Sequence, residues 1–131
     1  MPATALYASL LALFFVALGV RVVRTRQTLR ISLGDANQPA MTRAMRAHAN
    51  FAEYVPLALI LMYLTERHTN SYAWVHVLGI TLLVARLCHA WGFGREPEIF
   101  QLRPAGAGLT FLVILVAALR LLWVWTLSLL L

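Results

Sequence analysis

Long apolar stretches, separated by short polar ones, account for almost the whole chain. They cover about residues 3–20, 41–65, 72–91 and 105–130. A helix that crosses the hydrocarbon core of a bilayer needs about 20 mostly apolar residues, and each stretch is near that length. The pattern therefore predicts an all-α membrane protein, a four-transmembrane-helix bundle that occupies residues 1–131 as a single domain.

The composition agrees with a membrane protein. Of the 131 residues, 61% are hydrophobic and only 12% are charged, whereas soluble domains carry about 25% charged residues. The single cysteine, Cys88, excludes an intrachain disulfide and a cysteine-based metal cluster. No cleavage site follows the first apolar stretch, so we expect it to be kept as a span rather than removed as a signal peptide.

The distribution of arginine predicts how the chain sits in the membrane. The formal net charge is +6, and all 11 basic residues are arginines that cluster beside apolar runs. Membrane orientation and anionic headgroups explain such clusters more simply than nucleic-acid binding does. The first and third loops carry more arginines than the second, a polar turn over residues 66–71, so the positive-inside rule predicts cytoplasmic first and third loops and periplasmic termini. The loop arginines are Arg21, Arg24, Arg26, Arg30, Arg43 and Arg46 in the first, Arg67 in the second, and Arg95 and Arg103 in the third.

The most informative polar residues lie at the start of the second span. Arg46, Asn50 and Glu53 recur at helical spacing and share about a quarter of the helix circumference, with Tyr54 beside them. Ionisable side chains are costly in lipid, so they indicate a functional site by default.

The third span carries a matching polar face that includes Arg86 and His89. Glu53 lies about 10 Å beyond Arg46, and Arg86 lies about 7.5 Å from the same membrane boundary. Opposite charges at similar depths on antiparallel helices predict either an ion pair or a shared polar ligand. Arg103 stands at the cytoplasmic mouth of the fourth span.

These residues predict a pocket one to two turns below the inner surface, rich in guanidinium groups and holding one carboxylate. Guanidinium groups favour carboxylates, and the lone carboxylate favours an ammonium group. Nearby arginines would also lower the pKa of a ligand thiol from about 8.5 and favour the nucleophilic thiolate. Glutathione has all of these groups. The alternative is a buried ion pair that only fixes the helix register.

Other chemistry has less support in the sequence. The spacing of His48 and His89 fits no zinc motif, so no metal site is expected. His76 and His89 would point to different helix faces, which argues against haem. Cys88 fits a packing role, and Arg120 fits a side chain that extends to the outer interface.

The polar motif resembles that of the MAPEG family, the membrane-associated proteins in eicosanoid and glutathione metabolism. The likeness covers nearly the whole chain and is greatest for small bacterial members. It rests on the patterns Arg46-x-x-x-Asn50-x-x-Glu53-Tyr54-x-Pro56, Ala85-Arg86-x-x-His89 and Val22-Val23-Arg24-Thr25-Arg26. The resemblance implies a homotrimer in a bacterial inner membrane, with glutathione bound between neighbouring protomers near the cytoplasmic face.

The resemblance also implies roles for individual residues. Glu53 would take the ammonium group of glutathione, and Arg26 and His48 would come from the neighbouring protomer. Arg103 matches the arginine that stabilises the thiolate and is the candidate catalytic residue. The implied glutathione-binding residues are Arg26, Arg46, His48, Asn50, Glu53, Tyr54, Arg86 and His89.

The implied activity is that of a glutathione transferase or peroxidase that acts on lipophilic electrophiles or lipid hydroperoxides. Phe93 and Ala107 stand where some family members carry tyrosine, so the binding residues match better than the catalytic ones. A non-catalytic scaffold or ligand sensor is therefore the alternative. A small multidrug transporter would carry a glutamate in its first span, and residues 1–20 have no acidic residue.

Overall fold

A computed structural model describes residues 2–69, 72–93 and 101–130, and helices dominate this part of the chain. The described elements are α1 (Ala3–Thr28), α2 (Pro39–Thr69), α3 (Tyr72–Gly92) and α4 (Leu102–Leu130). The prediction of an all-helical bundle is confirmed. We refer to the end where α1 begins and α4 finishes as the terminal end, and to the opposite end as the basic end.

Within the described ranges, α1, α3 and α4 are each long and apolar enough to cross a bilayer. The remaining helix, α2, is not apolar enough to be counted as a membrane span by composition. Its apolar part covers only residues 51–64 and contains Glu53. It is held in the bundle by contacts with all three other helices. The least apolar helix is therefore supported by protein on several sides rather than by lipid alone.

The helices follow the order α1, α2, α4, α3 around the bundle. In the part of the chain that the structure describes, α1 and α4 make no contact, whereas α2 and α3 meet across the centre. Side chains that are almost completely buried fill the interior: Leu11, Ala58, Met62, Val75, Leu82, Val113 and Ala117. This order gives α2 two separate grooves, one against α1 and one against α4.

Glu66 holds the start of α1 at the terminal end. Its carboxylate accepts hydrogen bonds from the backbone N–H of Ala3, the backbone N–H of Thr4 (2.9 Å) and the Thr4 hydroxyl (2.7 Å). These bonds satisfy donors at a helix start that Pro2 leaves without a side-chain cap. The prediction of a turn over residues 66–71 was wrong for residues 66–69, which continue α2, while residues 70 and 71 lie outside the described part.

The first loop joins the end of α1 to the start of α2. The helix α1 continues beyond the predicted span of residues 3–20 and ends at Thr28. Arg30 lies past that end with a φ of 54°, followed by Gly34 with a φ of 67°. Pro39 is the first residue of α2, a position that suits proline because the N–H that it lacks would be unpaired there.

A close contact between α3 and α4 depends on Gly106. A Cβ atom on this glycine would lie only 2.5 Å from the carbonyl oxygen of Ala85 and 2.7 Å from the backbone nitrogen of His89. Small residues permit such close approach of membrane helices. The contact fixes the first turns of α4 against the part of α3 that carries Arg86 and His89.

We expect Gly106→Ala to destabilise the protein, because the added methyl group meets backbone atoms and the two helices must separate. The cost of such overpacking is roughly 1–3 kcal/mol. Gly108→Ala is the matched control, since a Cβ at Gly108 meets nothing within 4 Å. Thermal unfolding in detergent measures both variants. Equal unfolding temperatures for the two would contradict the close contact.

Candidate functional site

Arg86 is the largest fully buried side chain, with only 1% of its surface exposed. Its Nη2 donates to Asn50 Oδ1 at 2.9 Å, and its Nη1 donates to Thr110 Oγ1 at 3.4 Å. The guanidinium also lies 5.4 Å from the centre of the Phe51 ring. Within residues 2–69, 72–93 and 101–130, its Nε has no hydrogen-bond partner. The charge thus joins α2, α3 and α4 through neutral groups.

His89 completes this group from the same helix as Arg86. Its Nδ1 lies 3.4 Å from Arg86 Nη2. Because a guanidinium can only donate, Nδ1 accepts and the ring proton sits on Nε2. His89 is therefore a neutral side chain whose second nitrogen is a hydrogen-bond donor. Its ring also packs edge-to-face on Phe93, with 5.1 Å between the centroids.

A cavity of about 320 Å³ opens beside these residues, between α2, α3 and α4. Its volume falls within the roughly 300–1,000 Å³ of small-molecule pockets. The exposed side chains of Arg46 and Arg103 line it, and the Arg103 guanidinium lies 4.4 Å from the centre of the Phe93 ring. Its described lining holds no carboxylate and consists of Arg46, Asn50, His89, Phe93, Arg103, Pro104 and Ala107.

A second cavity of about 460 Å³ continues from the first toward the first loop and shares Arg46, Phe93 and Arg103 with it. Asp35 lines this outer part. The Thr42 hydroxyl donates to Asp35 at 2.7 Å, and this bond, with others from the backbone, holds the pKa of that carboxyl below its ordinary value. The cationic inner cavity therefore adjoins a polar cavity at the basic end.

The structure brings together five of the predicted site residues: Arg46, Asn50, Arg86, His89 and Arg103.

Two predicted residues on α2 lie outside this group. Glu53 is exposed on the surface of α2 and makes no ion pair with Arg86 within the protomer, so the first of the two alternatives for these charges does not hold there. Asn50, one turn nearer the basic end, faces Arg86 of α3 and bonds it instead. Tyr54 is half-buried, with its ring 5.1 Å from that of Phe111 and edge-to-face with it. It therefore lies on the α2–α4 side, one turn deeper than Asn50.

Arg26, on α1, and His48, on α2, lie where α1 packs against α2, away from the arginine-lined cavity. The Nη1 of Arg26 donates to the carbonyl oxygen of Gly34 at 3.1 Å, which ties the end of α1 to the first loop. The His48 ring stacks on Phe15 with 4.4 Å between centroids. A groove of about 520 Å³ runs along α1 here, and Arg24 rather than Arg26 lines it with His48.

Thr110 is a site residue that the sequence reasoning missed. It is fully buried, and its hydroxyl accepts from Arg86 while donating to the Gly106 carbonyl at 2.9 Å. A signal was present, because Gly106, Thr110, Val113 and Ala117 recur at helical spacing along α4. Such a stripe of small residues marks a helix face that packs closely.

Comparison with known proteins identifies the family of this chain. The profile of the MAPEG family matches residues 4–123. The chain belongs to the MAPEG family. It is 37% identical over 120 residues to the inner membrane protein YecN of Escherichia coli K12, covering 92% of this chain and 90% of that protein. YecN of Escherichia coli O6:H1 strain CFT073 matches to the same extent. Together with the apolar helices, these matches indicate an integral inner membrane protein.

In this MAPEG protein, Arg86 bonds only neutral side chains among the described residues, so a carboxylate placed beside it should stabilise the fold. Asn50→Asp places a carboxylate where Arg86 now meets an amide oxygen. Since the guanidinium is already desolvated, we expect the ligand-free protein to unfold about 3–5 °C higher, or roughly 1 kcal/mol more stable. Thermal unfolding without ligand measures the change.

The matched control is Asn50→Leu, which removes the acceptor without adding a charge and should lower the unfolding temperature. An Asn50→Asp protein no more stable than Asn50→Leu would show that Arg86 does not lack a counter-ion.

Proposed function

We propose that the chain is a glutathione-binding membrane enzyme that transfers glutathione to lipophilic electrophiles or reduces lipid hydroperoxides. The observation that carries the proposal is the buried guanidinium of Arg86, which has no carboxylate partner among the described residues. It lies behind a cavity lined by the guanidinium groups of Arg46 and Arg103. A buried cation without a counter-ion is costly, so an anionic ligand would be strongly favoured.

Glutathione fits the chemistry of this cavity. Its two carboxylates suit the guanidinium groups of Arg46 and Arg103, which can bind them in bidentate fashion. The amide of Asn50 and the donor nitrogen of His89 suit its polar backbone. Its thiol needs a nearby cation to ionise at neutral pH, and Arg103 at the cavity edge can supply one. The family resemblance supports the same roles for these residues.

The proposed reactions both start from the glutathione thiolate and a lipid-soluble partner. With an electrophile, sulfur attacks carbon, a carbon–sulfur bond forms and the leaving group departs with its electron pair. With a hydroperoxide, sulfur attacks the outer oxygen and the O–O bond breaks. The departing alkoxide takes a proton from water, which gives an alcohol and a glutathione sulfenic acid. A second glutathione then displaces water and leaves the disulfide. Arg103 would stabilise the thiolate in both reactions.

Glu53 supports assembly of the protomers into a homotrimer. Its carboxylate is exposed on α2 about 10 Å deeper than Arg46. A charged side chain that faces lipid at the centre of a span costs about 2.5–3.5 kcal/mol, so a second protomer is a better neighbour for a carboxylate within the span. The other exposed residues on this surface of α2 include Ala52, Pro56, Leu57 and Ile60.

The two sides of α2 are suited to a closed ring. The groove with His48 lies against α1, whereas the arginine-lined cavity lies against α4. Contact between one side of a protomer and the other side of the next is head-to-tail, and such contacts can close into a ring. The family resemblance implies three protomers, with glutathione between them and its ammonium group at Glu53.

The basic end would face the cytoplasm in this arrangement. Its first loop carries most of the loop arginines, which the positive-inside rule assigns to the cytoplasmic side. The cytoplasm is also the compartment in which glutathione keeps thiols reduced. Both termini would then be periplasmic.

Glutathione binding is the direct test of the proposed site. We expect saturable binding in isothermal titration of the detergent-purified protein. Arg46→Ala and Glu53→Ala should each weaken binding at least tenfold, because charged hydrogen bonds contribute roughly 1.5–3 kcal/mol. The control is Arg67→Ala, which removes an exposed arginine at the terminal end and should bind normally. No binding by the wild type, or equal binding by all four proteins, would contradict the assignment.

A non-catalytic ligand sensor is the second candidate, and Phe93 is the observation that favours it. Its ring lies beneath the Arg103 guanidinium, where it offers no hydroxyl to a thiolate. Ala107, also in the lining, adds no polar group. The cavity is therefore better equipped to hold an anion than to donate a proton to a reacting group.

Turnover of a chloronitrobenzene with glutathione separates the two candidates. We expect conjugation above the uncatalysed rate, with Arg103→Ala reducing kcat at least tenfold. Phe93→Tyr should raise kcat, because it adds a hydroxyl donor beside Arg103. A wild type that binds glutathione normally but matches the uncatalysed rate for several electrophiles and hydroperoxides would support the sensor.

A further inference from the structure

A second arginine inside a membrane-spanning helix lies far from the proposed glutathione site. Arg120 is on α4, about 15 Å before the end of that helix, and is half-buried. Its Nε is enclosed and has no hydrogen-bond partner in the described ranges. Its guanidinium carbon lies 5.9 Å from the centre of the Trp74 ring, in the first turn of α3. This places the charge at the terminal end, at the depth where α3 begins.

A cavity of about 400 Å³ adjoins Arg120. The aromatic rings of Trp74 and Trp123 line it, together with an apolar wall from Leu78, Val116 and Leu119. Its described lining contains no acidic residue. The combination of one cation, two tryptophans and an apolar wall is that of a membrane interface.

Glu66, a carboxylate at the terminal end, is bound by the start of α1 and does not line the Arg120 cavity. Both oxygens of Glu66 accept hydrogen bonds from the start of α1. No ion pair joins Glu66 to Arg120 among the described residues. Arg120 lies beside apolar side chains, so an anion attached to a membrane lipid would suit both the charge and the apolar surface.

We propose that this cavity binds one anionic phospholipid from the leaflet at the terminal end. The phosphate pairs with the Arg120 guanidinium, whose planar donors match phosphate oxygens. One acyl chain lies along Leu78, Val116 and Leu119, and the tryptophan rings flank the headgroup. The site lies at the opposite end of the bundle from the arginine-lined cavity and does not depend on glutathione binding.

Native mass spectrometry of the delipidated protein with added phosphatidylglycerol tests this site. We expect one tightly retained lipid per chain, with phosphatidylcholine of the same chain length retained at least fivefold less. Arg120→Ala should reduce retention of phosphatidylglycerol at least fivefold. Arg67→Ala is the matched control, because it removes an exposed arginine from the same end. It should retain the lipid as the wild type does.

A second Arg120 variant and a competition experiment complete the test. Arg120→Gln removes the positive charge but keeps a polar side chain with a three-carbon stem, and it serves if Arg120→Ala fails to fold. It should lose the lipid while keeping the unfolding temperature of the delipidated protein. Glycerol phosphate at millimolar concentration should not displace the lipid, because it lacks the acyl chain. Full retention by both Arg120 variants, equal loss in Arg67→Ala, or displacement by glycerol phosphate would each overturn the proposal.

Discussion

The buried guanidinium of Arg86 is the interaction on which the rest of the structure depends, because it joins three helices without meeting a carboxylate. Asn50 on α2 and Thr110 on α4 hold it from opposite sides, and His89 takes a further contact on its own helix. Each partner is neutral, so the positive charge remains uncompensated within the described protomer. A purely structural arginine would more commonly carry an acidic partner at such depth. The uncompensated charge of Arg86 therefore favours an anion bound at this position in the bundle.

Two features of the fold hold that place in position. Gly106 lets α4 approach the backbone of α3 beside His89, which fixes the side of the cavity that carries Arg103. At the other end, Glu66 binds the start of α1 and so anchors α1 to α2. With α2 held on both sides, its polar first half can lie within a membrane bundle although its composition alone would not make it a span. Both terminal-end and basic-end cavities then open on surfaces where lipid or a second protomer can reach them.

Much of this arrangement could be predicted from the sequence, because apolar length and helical period are local properties. The helix positions and the shared face of Arg46 and Asn50 followed from them. The partner of Arg86 did not, since depth along two helices leaves their rotation about their own axes unknown. Glu53 and Asn50 lie one turn apart, and only the packed bundle shows that Asn50 faces Arg86. Glu66 was misplaced for a similar reason, because its partners are more than sixty residues away in the chain.

The roles of Arg26 and His48 show the same limit of local reasoning. Neither residue lines the arginine-lined cavity of its own protomer, which includes Arg46. An experimental structure of the lipid-embedded assembly with glutathione tests the central claim most directly. We expect density for the tripeptide between protomers, with a carboxylate at Arg46 and the ammonium group at Glu53. A carboxylate of a neighbouring protomer paired with Arg86, and no tripeptide density, would contradict it.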